Sequence, residues 1–492
     1  MTLAERLDQF LVGKIAFPAI NYVLNRHDPL GRYRKLLLTE RCSKDALKKR
    51  QFQKLQELLR YTNFWSPFYA TRFKKAGIVP EDIRSLEDFK RVPPLERDEV
   101  IECRLELLDK RYRNAARIAD LASSSARMPR PFVALQKYRL IRNASTGSTG
   151  APTIFYEDGS TTALNWANEL RLKHWFGVSP GAKEARMKGS STSYASRSNL
   201  RMAREFLWNQ MILPGIFLSD REFELCSAKI RKYRPRVLWG PTPGLVGLAR
   251  FVQRQKFDIS ADLVISWAAP LYEHEKNLLK EVFGCPVTNI YGSREVGHIA
   301  MACPHGSMHI NEEDYLVELD HGGSGKTSVS SQLLITPLNP SPMSFLRYRI
   351  GDLAQFEDAA CPCGRSTSVL HRIVGRIGEV FYTQDGRTIE PNFWCLVFTV
   401  DRQSRDVERF QVIYQRSDCI RFRIVPRPSY NAETEAALRR LLRDSFPSSM
   451  RFEFEYISNI EPQPSGKFQM VVNKIAQPDE NPASVPNLTI VP

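Results

Sequence analysis

The stretch DLVISWAAPLYEHEKNLLKEVFGCPVTNIYGSREVG, residues 262–297, holds two short apolar runs separated by a helical pattern. "DLVISWAAP" (262–270) and "PVTNIYG" (286–292) read as buried strands, with "LYEHEKNLLKEVFG" (271–284) between them as a helix. Upstream, "RVLWG" (236–240) and "PGLVGLARFVQRQ" (243–255) repeat the rhythm. Strand, helix, strand in succession predicts a parallel α/β sheet, whose ligands bind beyond the carboxyl ends of its strands. Those ends carry WAAPL and YGSREVG.

A chain of 492 residues is too long for one ordinary core, so two or more domains are expected. Its 42% hydrophobic and 25% charged content is that of a soluble globular protein. A formal charge of +16 would attract phosphorylated ligands, acidic membrane surfaces or nucleic acid, the competing reading being an Arg-rich surface. The basic residues, densest from Arg104 to Arg142, lack the aromatic interleaving of a nucleic-acid reader, so no nucleic-acid partner is expected. Nine cysteines, sparse and odd in number, argue against a disulfide framework, and no secretory leader is read. A cytoplasmic location follows. "FLVGKIAFPAINYVL", Phe10 to Leu24, is interrupted by Lys14, Pro18 and Asn21 and is too short to span a bilayer. With Arg26, Arg32, Arg34 and Lys35 behind it, the segment can lie on an anionic membrane; a helix docked on the protein's own core competes with that reading.

"KDALKKRQFQKLQELLR" (44–60) reads as an amphipathic helix with Leu47, Phe52, Leu55, Leu58 and Leu59 on one face. Helical patterns punctuated by proline continue to about residue 105. "IRNASTGSTGAPTIFY" (141–156) places six Ser, Thr and Gly residues before a strand-like run. Glycine lets backbone N–H groups approach an anion and hydroxyls add donors, so the loop reads as a phosphate cradle or as an ordinary polar turn. No Lys follows Gly150, so it is not a Walker loop. "GGSGKT" (322–327) is a decoy: Asp320 stands where a P-loop needs Gly, and strand-like segments flank it, as around a hairpin turn. Ser190 to Ser198 reads as a flexible loop.

Beyond "VGRIG" (374–378) the pattern becomes that of a small α+β domain. "RFQVIYQ" and "CIRFRIV" alternate as a hairpin across "RSD". Asn431 caps a helix with an apolar stripe of Ala437, Leu438, Leu441 and Leu442, and the strand "RFEFEYI" follows. Expected boundaries are 1–375, 376–476 and a frayed tail at 477–492.

"CPHGSMH" sets Cys303 six residues before His309, and "CPCG" supplies Cys361 and Cys363. Three thiolates and one imidazole suit a closed structural Zn²⁺ site, with His305 a rival ligand and a set of reduced, partly buried thiols the alternative.

In order, STGSTGAPT, WAAPL, YGSREVG, LRYRIGDL, HRIVGRIGE and PSGKF resemble the motifs of the adenylate-forming acyl-CoA synthetases. The phenylacetate–CoA ligase branch, with its CapK-type proteins, is the most similar. The resemblance spans nearly the whole chain. It implies a large multi-layer α/β adenylate-forming N-terminal domain with a small α+β C-terminal lid domain. It also implies a carboxylic acid substrate, possibly aromatic, adenylated by ATP and then passed to CoA. By the same resemblance Ser145, Thr146, Gly147, Ser148, Thr149 and Gly150 hold the β- and γ-phosphates. Ala268, Ala269 and Pro270 line the adenine and Tyr291 packs on it. Ser293 orients the α-phosphate and Glu295 ligates Mg²⁺. Asp352 takes the ribose hydroxyls, reinforced by Arg376, and Lys467 bridges the carboxylate and α-phosphate. Two departures matter: Thr153 follows Pro152 where the wider superfamily often has Lys, and Gly378 stands where many members carry a hinge Asp or Lys. The second keeps open an adenylyl transferase or acyl-adenylate synthetase that does not use CoA. A non-catalytic binding protein of the same fold is a further alternative. Trp239 is the one candidate for lining an acyl pocket.

Overall fold

The computed structural model describes residues 3–19, 28–124, 140–145, 153–188, 199–215, 218–320, 331–357, 360–376, 381–382, 388–389, 393–394, 397–398, 406–446, 448–461 and 469–475. The chain divides into two units. Met1–Glu318, Leu334–Arg349 and Phe356–His371 form the first, and Leu319–Leu333, Ile350–Gln355 and Arg372–Pro492 the second.

In the first unit α1 (Leu3–Leu11) runs on through a π-helical turn at Val12–Ala16, and α2 (Pro29–Thr39) and α3 (Lys44–Trp65) follow. Ser43 caps α3 by accepting from the Ala46 N–H, and Leu47, Leu55, Leu58 and Leu59 are its buried stripe. Phe52 is only half-buried; Gln51 is buried instead and donates Nε2 to the Tyr315 carbonyl at 3.0 Å. An amide goes inside because it satisfies a carbonyl there.

A hairpin of β1 (Ile141–Ala144) and β2 (Ile154–Glu157) leads into α4 (Gly159–Trp175), capped by Asp158. The predicted alternation follows: β3 (Glu184–Met187), α5 (Asn199–Leu207), β4 (Gln210–Leu213), α6 (Asp220–Tyr233), β5 (Val237–Pro241), α7 (Thr242–Gln255), β6 (Leu263–Trp267), α8 (Glu273–Phe283) and β7 (Val287–Ser293). β3 pairs in parallel with β4 and β5, β5 with β6, and β6 with β7. β8 (Gly297–Ala302) and β9 (Met308–Ile310) then return antiparallel. With β10 (Tyr315–Asp320), β11 (Ser331–Pro337), β12 (Tyr348–Glu357) and β13 (Val369–Arg376) the sheet order is β10-β11-β12-β13-β9-β8-β7-β6-β5-β3-β4. β10 and β11, the segments on either side of GGSGKT, are sheet neighbours, and a strand follows that loop where a P-loop needs a helix. The loop itself lies outside the described residues, as do Ser190–Ser198 and the tail.

Both faces of the parallel strands are covered. Leu238 and Val264 join one core with Leu213, Leu245, Val252 and Phe283; their chain neighbours Trp239 and Ile265 join another with Leu172, Ile290 and Met301. Neighbouring side chains on a strand go to opposite faces, which is why these strands read as unbroken apolar runs. Trp239 is thus a core residue, with the Arg186 guanidinium 4.7 Å from its ring centre.

In the second unit β14 (Phe381–Tyr382) pairs with β15 (Thr388–Ile389). β16 (Val407–Arg416) and β17 (Cys419–Pro426) form the expected hairpin. Asn431 caps α9 (Ala432–Ser445) by accepting from the N–H groups of Glu433 and Thr434. With β18 (Arg451–Tyr456) and β19 (Val471–Asn473) the order is β18-β17-β16-β19. Leu438 and Leu442 are buried but Leu441 is exposed, so the inner stripe of α9 is narrower than its sequence suggests. Among the described residues no helix is long and apolar enough to cross a membrane.

Candidate active site and metal centre

The candidate site lies at the carboxyl ends of β5, β6 and β7. Beyond Trp267 the chain kinks at Ala268, whose φ of +70° is left-handed and costs a non-glycine residue about 1 kcal/mol. Thr242, buried at the start of α7, holds the kink: its hydroxyl donates to the Ala269 carbonyl at 3.0 Å and lies 2.6 Å from the Ser266 Oγ. Thr242 has one proton to give, so Ser266 donates to it. One strand over, Tyr291 stands two residues past Asn289, the register partner of Ser266. The WAAP loop and Tyr291 are therefore side by side.

YGSREVG forms the β7–β8 turn. Ser293 pairs with Gly297, and the Val296 N–H donates to the Ser293 Oγ at 3.4 Å. Gly297 has a φ of +87°, and a Cβ there would lie 2.4 Å from the Asn165 Oδ1, so glycine is required. Asn165 accepts from the His298 N–H at 3.3 Å, fixing the turn to α4. Glu295, half-buried, sits at the turn beside Ser293. Arg294 reaches out of the turn and donates Nη1 to the Ala144 carbonyl at 2.7 Å. The next residue, Ser145, donates its N–H to the Thr153 carbonyl at 2.9 Å and so closes the base of the Ser/Thr/Gly loop. Ser145 therefore follows directly on the carbonyl that Arg294, the residue between Ser293 and Glu295, binds.

Asp352 lies half-buried on β12, in the segment Ile350–Gln355 of the second unit, and Arg376 ends β13. Thr146, Gly147, Ser148, Thr149, Gly150 and Lys467 lie outside the described residues, as does Gly378.

Two features of this corner were not read from the sequence. Glu157 accepts from the Asn143 Nδ2 at 2.6 Å, and burial, reinforced by neighbouring Asp158, pushes its carboxyl up to about 7. Behind the turn, Glu169 of α4 meets the His298 Nε2 at 3.3 Å and the Arg186 Nη2 at 2.5 Å. Arg186 also reaches Glu184 at 2.7 Å, and Lys173 pairs with Glu184. Burial works to raise the Glu169 carboxyl, but Arg186 and His298 outweigh it and hold it below its ordinary range. Glu157 could have been found only by knowing which strand faces it. The ion network reads in sequence as surface charge.

The cysteine cluster assembles from two tight turns. The Gly306 N–H donates to the Cys303 carbonyl at 2.8 Å, and the Gly364 N–H to the Cys361 carbonyl at 3.1 Å. Pairing of Val369 with His309 brings the turns together. The donor atoms of Cys303, His309, Cys361 and Cys363 all lie within 4.8 Å of one another. The sulfurs of Cys303 and Cys361 are 3.7 Å apart, against the roughly 3.8 Å edge of a tetrahedron with Zn–S bonds of about 2.3 Å. His309 Nε2 is 3.2 Å from the Cys363 Sγ, and Nδ1 lies 3.0 Å from the Thr367 Oγ1 and 3.3 Å from its carbonyl. The carbonyl accepts from Nδ1–H, which leaves the Nε2 lone pair for a metal. Burial presses the imidazole down to about 4, keeping it neutral, and pushes the Cys303 thiol up to about 11. His305 is exposed and is not in the cluster. The donor set fits Zn²⁺.

A doubly covered parallel sheet ending in this kinked loop and turn, with a small C-terminal α+β unit, has the fold of the adenylate-forming CoA ligases. The structure matches that of 2-hydroxyisobutyryl-CoA ligase in the postadenylation state with 2-HIB-AMP, at a TM-score of 0.67 and 17% identity, covering 88% of this chain and 91% of that one. Residues 381–474 match the CapK C-terminal domain family. CapK of Staphylococcus aureus is 21% identical over 86% of this chain and 89% of its own length. A phenylacetate-coenzyme A ligase of Thermus thermophilus is 23% identical over 69% of this chain and 73% of its own length. The resemblance read from the ordered motifs is borne out by these relatives.

Proposed function

We infer that this chain is an AMP-forming acid ligase: it joins a carboxylic acid to the α-phosphorus of ATP, releasing pyrophosphate, and transfers the acyl group to the thiol of CoA. The observation that carries this reading is the corner where Arg294 binds Ala144. It holds the base of the Ser/Thr/Gly loop against the turn that bears Ser293 and Glu295.

In the first step the carboxylate oxygen attacks the α-phosphorus and the bond to the β-phosphate oxygen breaks. Little covalent work falls to the protein, so positioning and charge stabilisation dominate. The loop Ser145–Gly150 grips the β- and γ-phosphates. Ala268–Pro270 and Tyr291 enclose the base, which explains why the kink at Ala268 is held by a buried hydroxyl. Ser293 orients the α-phosphate, and Glu295 would hold Mg²⁺, which neutralises phosphate charge when bound. By the resemblance Asp352 and Arg376 would take the ribose and Lys467 would bridge the carboxylate and α-phosphate. In the second step the thiol sulfur attacks the acyl carbon, AMP leaves and the thiol proton is lost.

The phenylacetate-coenzyme A ligase relatives favour an aromatic acid. Cys303, His309, Cys361 and Cys363 would hold Zn²⁺, which would tie the β8–β9 turn to the segment before β13 and serve structure. Free thiols throughout the described residues suit a reducing cytoplasm. A second reading, transfer to an acceptor other than CoA, rests on Gly378, which stands where many members of the resembled family carry a hinge Asp or Lys. Pyrophosphate exchange with a panel of carboxylic acids tests the first step. Product analysis with and without CoA separates the two acceptors.

A further inference from the structure

Helix α1 and its π-turn dock on the first unit through one stripe and present a second apolar stripe outward. Gln9 donates to the Ser179 carbonyl at 3.2 Å and accepts from Arg236 at 3.1 Å. Val12, Gly13 and Phe17 continue this buried stripe. Gly13 crosses so close that a Cβ would lie 2.5 Å from the Pro180 carbonyl oxygen. On the opposite side Leu7, Phe10 and Ile15 are 58%, 56% and 56% exposed, with Leu11 between them. The patch continues onto α5, where Phe206 is 80% exposed and Leu207 lies beside it. The two helices meet there: Asn209 binds Asp8 at 2.9 Å, and Trp208 packs against Phe17 with ring centres 5.4 Å apart. Two segments nearly two hundred residues apart in sequence thus converge to expose large apolar side chains at one junction.

We propose that this junction seats the protein on an anionic lipid surface. Charge selects that occupant. Lys14 rises from within the outward stripe, where its stem lies among apolar neighbours and its ammonium reaches headgroup phosphates. α2 packs on Phe17 through Leu30, Tyr33 and Leu36 and exposes Arg34 and Lys35. From α1 through α2 the described residues carry five basic side chains, Arg6, Lys14, Arg32, Arg34 and Lys35, against three acidic ones, Glu5, Asp8 and Asp28. A second copy on the same face would press two positive regions together, whereas an anionic surface complements them.

The test is sedimentation of the full chain with vesicles of phosphatidylcholine alone or of phosphatidylcholine and phosphatidylglycerol at about seven to three. Binding to the anionic vesicles should exceed that to neutral ones by about tenfold at about 50 mM salt and fall steeply by about 300 mM. The double variant Phe10→Ser/Ile15→Ser should lose at least about fivefold of that binding, and Lys14→Glu a similar amount. All of these positions are exposed, so thermal unfolding and pyrophosphate exchange in solution should be unchanged, which separates this proposal from the enzymatic one. Equal sedimentation of wild type and the double variant, or no preference for anionic vesicles, overturns it. So does a concentration-dependent dimer, seen by light scattering, that Phe10→Ser abolishes, because the occupant is then a second copy.

Discussion

The guanidinium of Arg294 donates to the backbone carbonyl of Ala144 across 2.7 Å, linking a turn between two strands of the central sheet to a hairpin residue 150 positions earlier. The bond is made to a carbonyl, so it holds the backbone of β1 in place. A charge-assisted bond of this kind is worth roughly 1.5–3 kcal/mol.

Arg294→Ala should therefore raise the KM for ATP in pyrophosphate exchange by about tenfold or more, with little change in Tm, because the lost bond positions a loop and does not hold the core. An unchanged KM would show that the loop reaches its place without Arg294.

Thr242→Val keeps the shape of the side chain and removes the donor that secures the Ala269 carbonyl. The left-handed Ala268 then loses its restraint. Expected are a stability loss of about 1–2 kcal/mol in denaturant titration and weaker ATP binding, with the affinity for pyrophosphate retained. Equal loss of both affinities would place the effect outside the loop Ala268–Pro270.

Glu157 sets a pH dependence. Its carboxyl is raised from 4.5 to about 7. Between those values the unfolded chain has released this proton and the folded chain has kept it. Its contribution to stability is thus fully present below about pH 4.5 and is lost as pH rises through about 7, by at most about 3–4 kcal/mol. Glu157→Gln should gain stability relative to wild type as pH climbs through this window, read as Tm of both proteins at a series of pH values. Parallel Tm curves would contradict the assignment.

Metal analysis should find about one equivalent of zinc per chain, lost in Cys361→Ser. The variant should unfold more than about 5 °C lower while retaining turnover at low temperature, since the cluster holds structure and performs no chemistry. Stable, zinc-free wild type would remove the metal from the account.

The parallel strands were legible in sequence because strands buried on both faces cannot alternate with polar residues; Leu238 and Trp239 serve opposite cores yet look alike as letters. The cysteine turns were legible because a tight turn needs Gly306 and Gly364 at fixed offsets. The Asn431 cap and the β16–β17 hairpin were readable for the same local reasons. What could not be read are pairings that the fold alone creates. Arg186, Glu184 and Glu169 look like a solvated face until β3 is placed beneath α4. Gln51 rather than Phe52 faces inward because a carbonyl of β10 waits for a donor. Trp239, by sequence a candidate for lining an acyl pocket, is buried in the sheet's core against Arg186.

The central claim is that one bound ATP is attacked by a carboxylic acid. It is tested most directly by the exchange of labelled pyrophosphate into ATP in the presence of each acid of a panel, with wild type and Lys467→Ala. The account predicts exchange that appears only with a particular acid and falls by at least about a hundredfold in Lys467→Ala while ATP still binds. Exchange of equal rate in the two proteins, or none with any acid despite ATP binding, would contradict it.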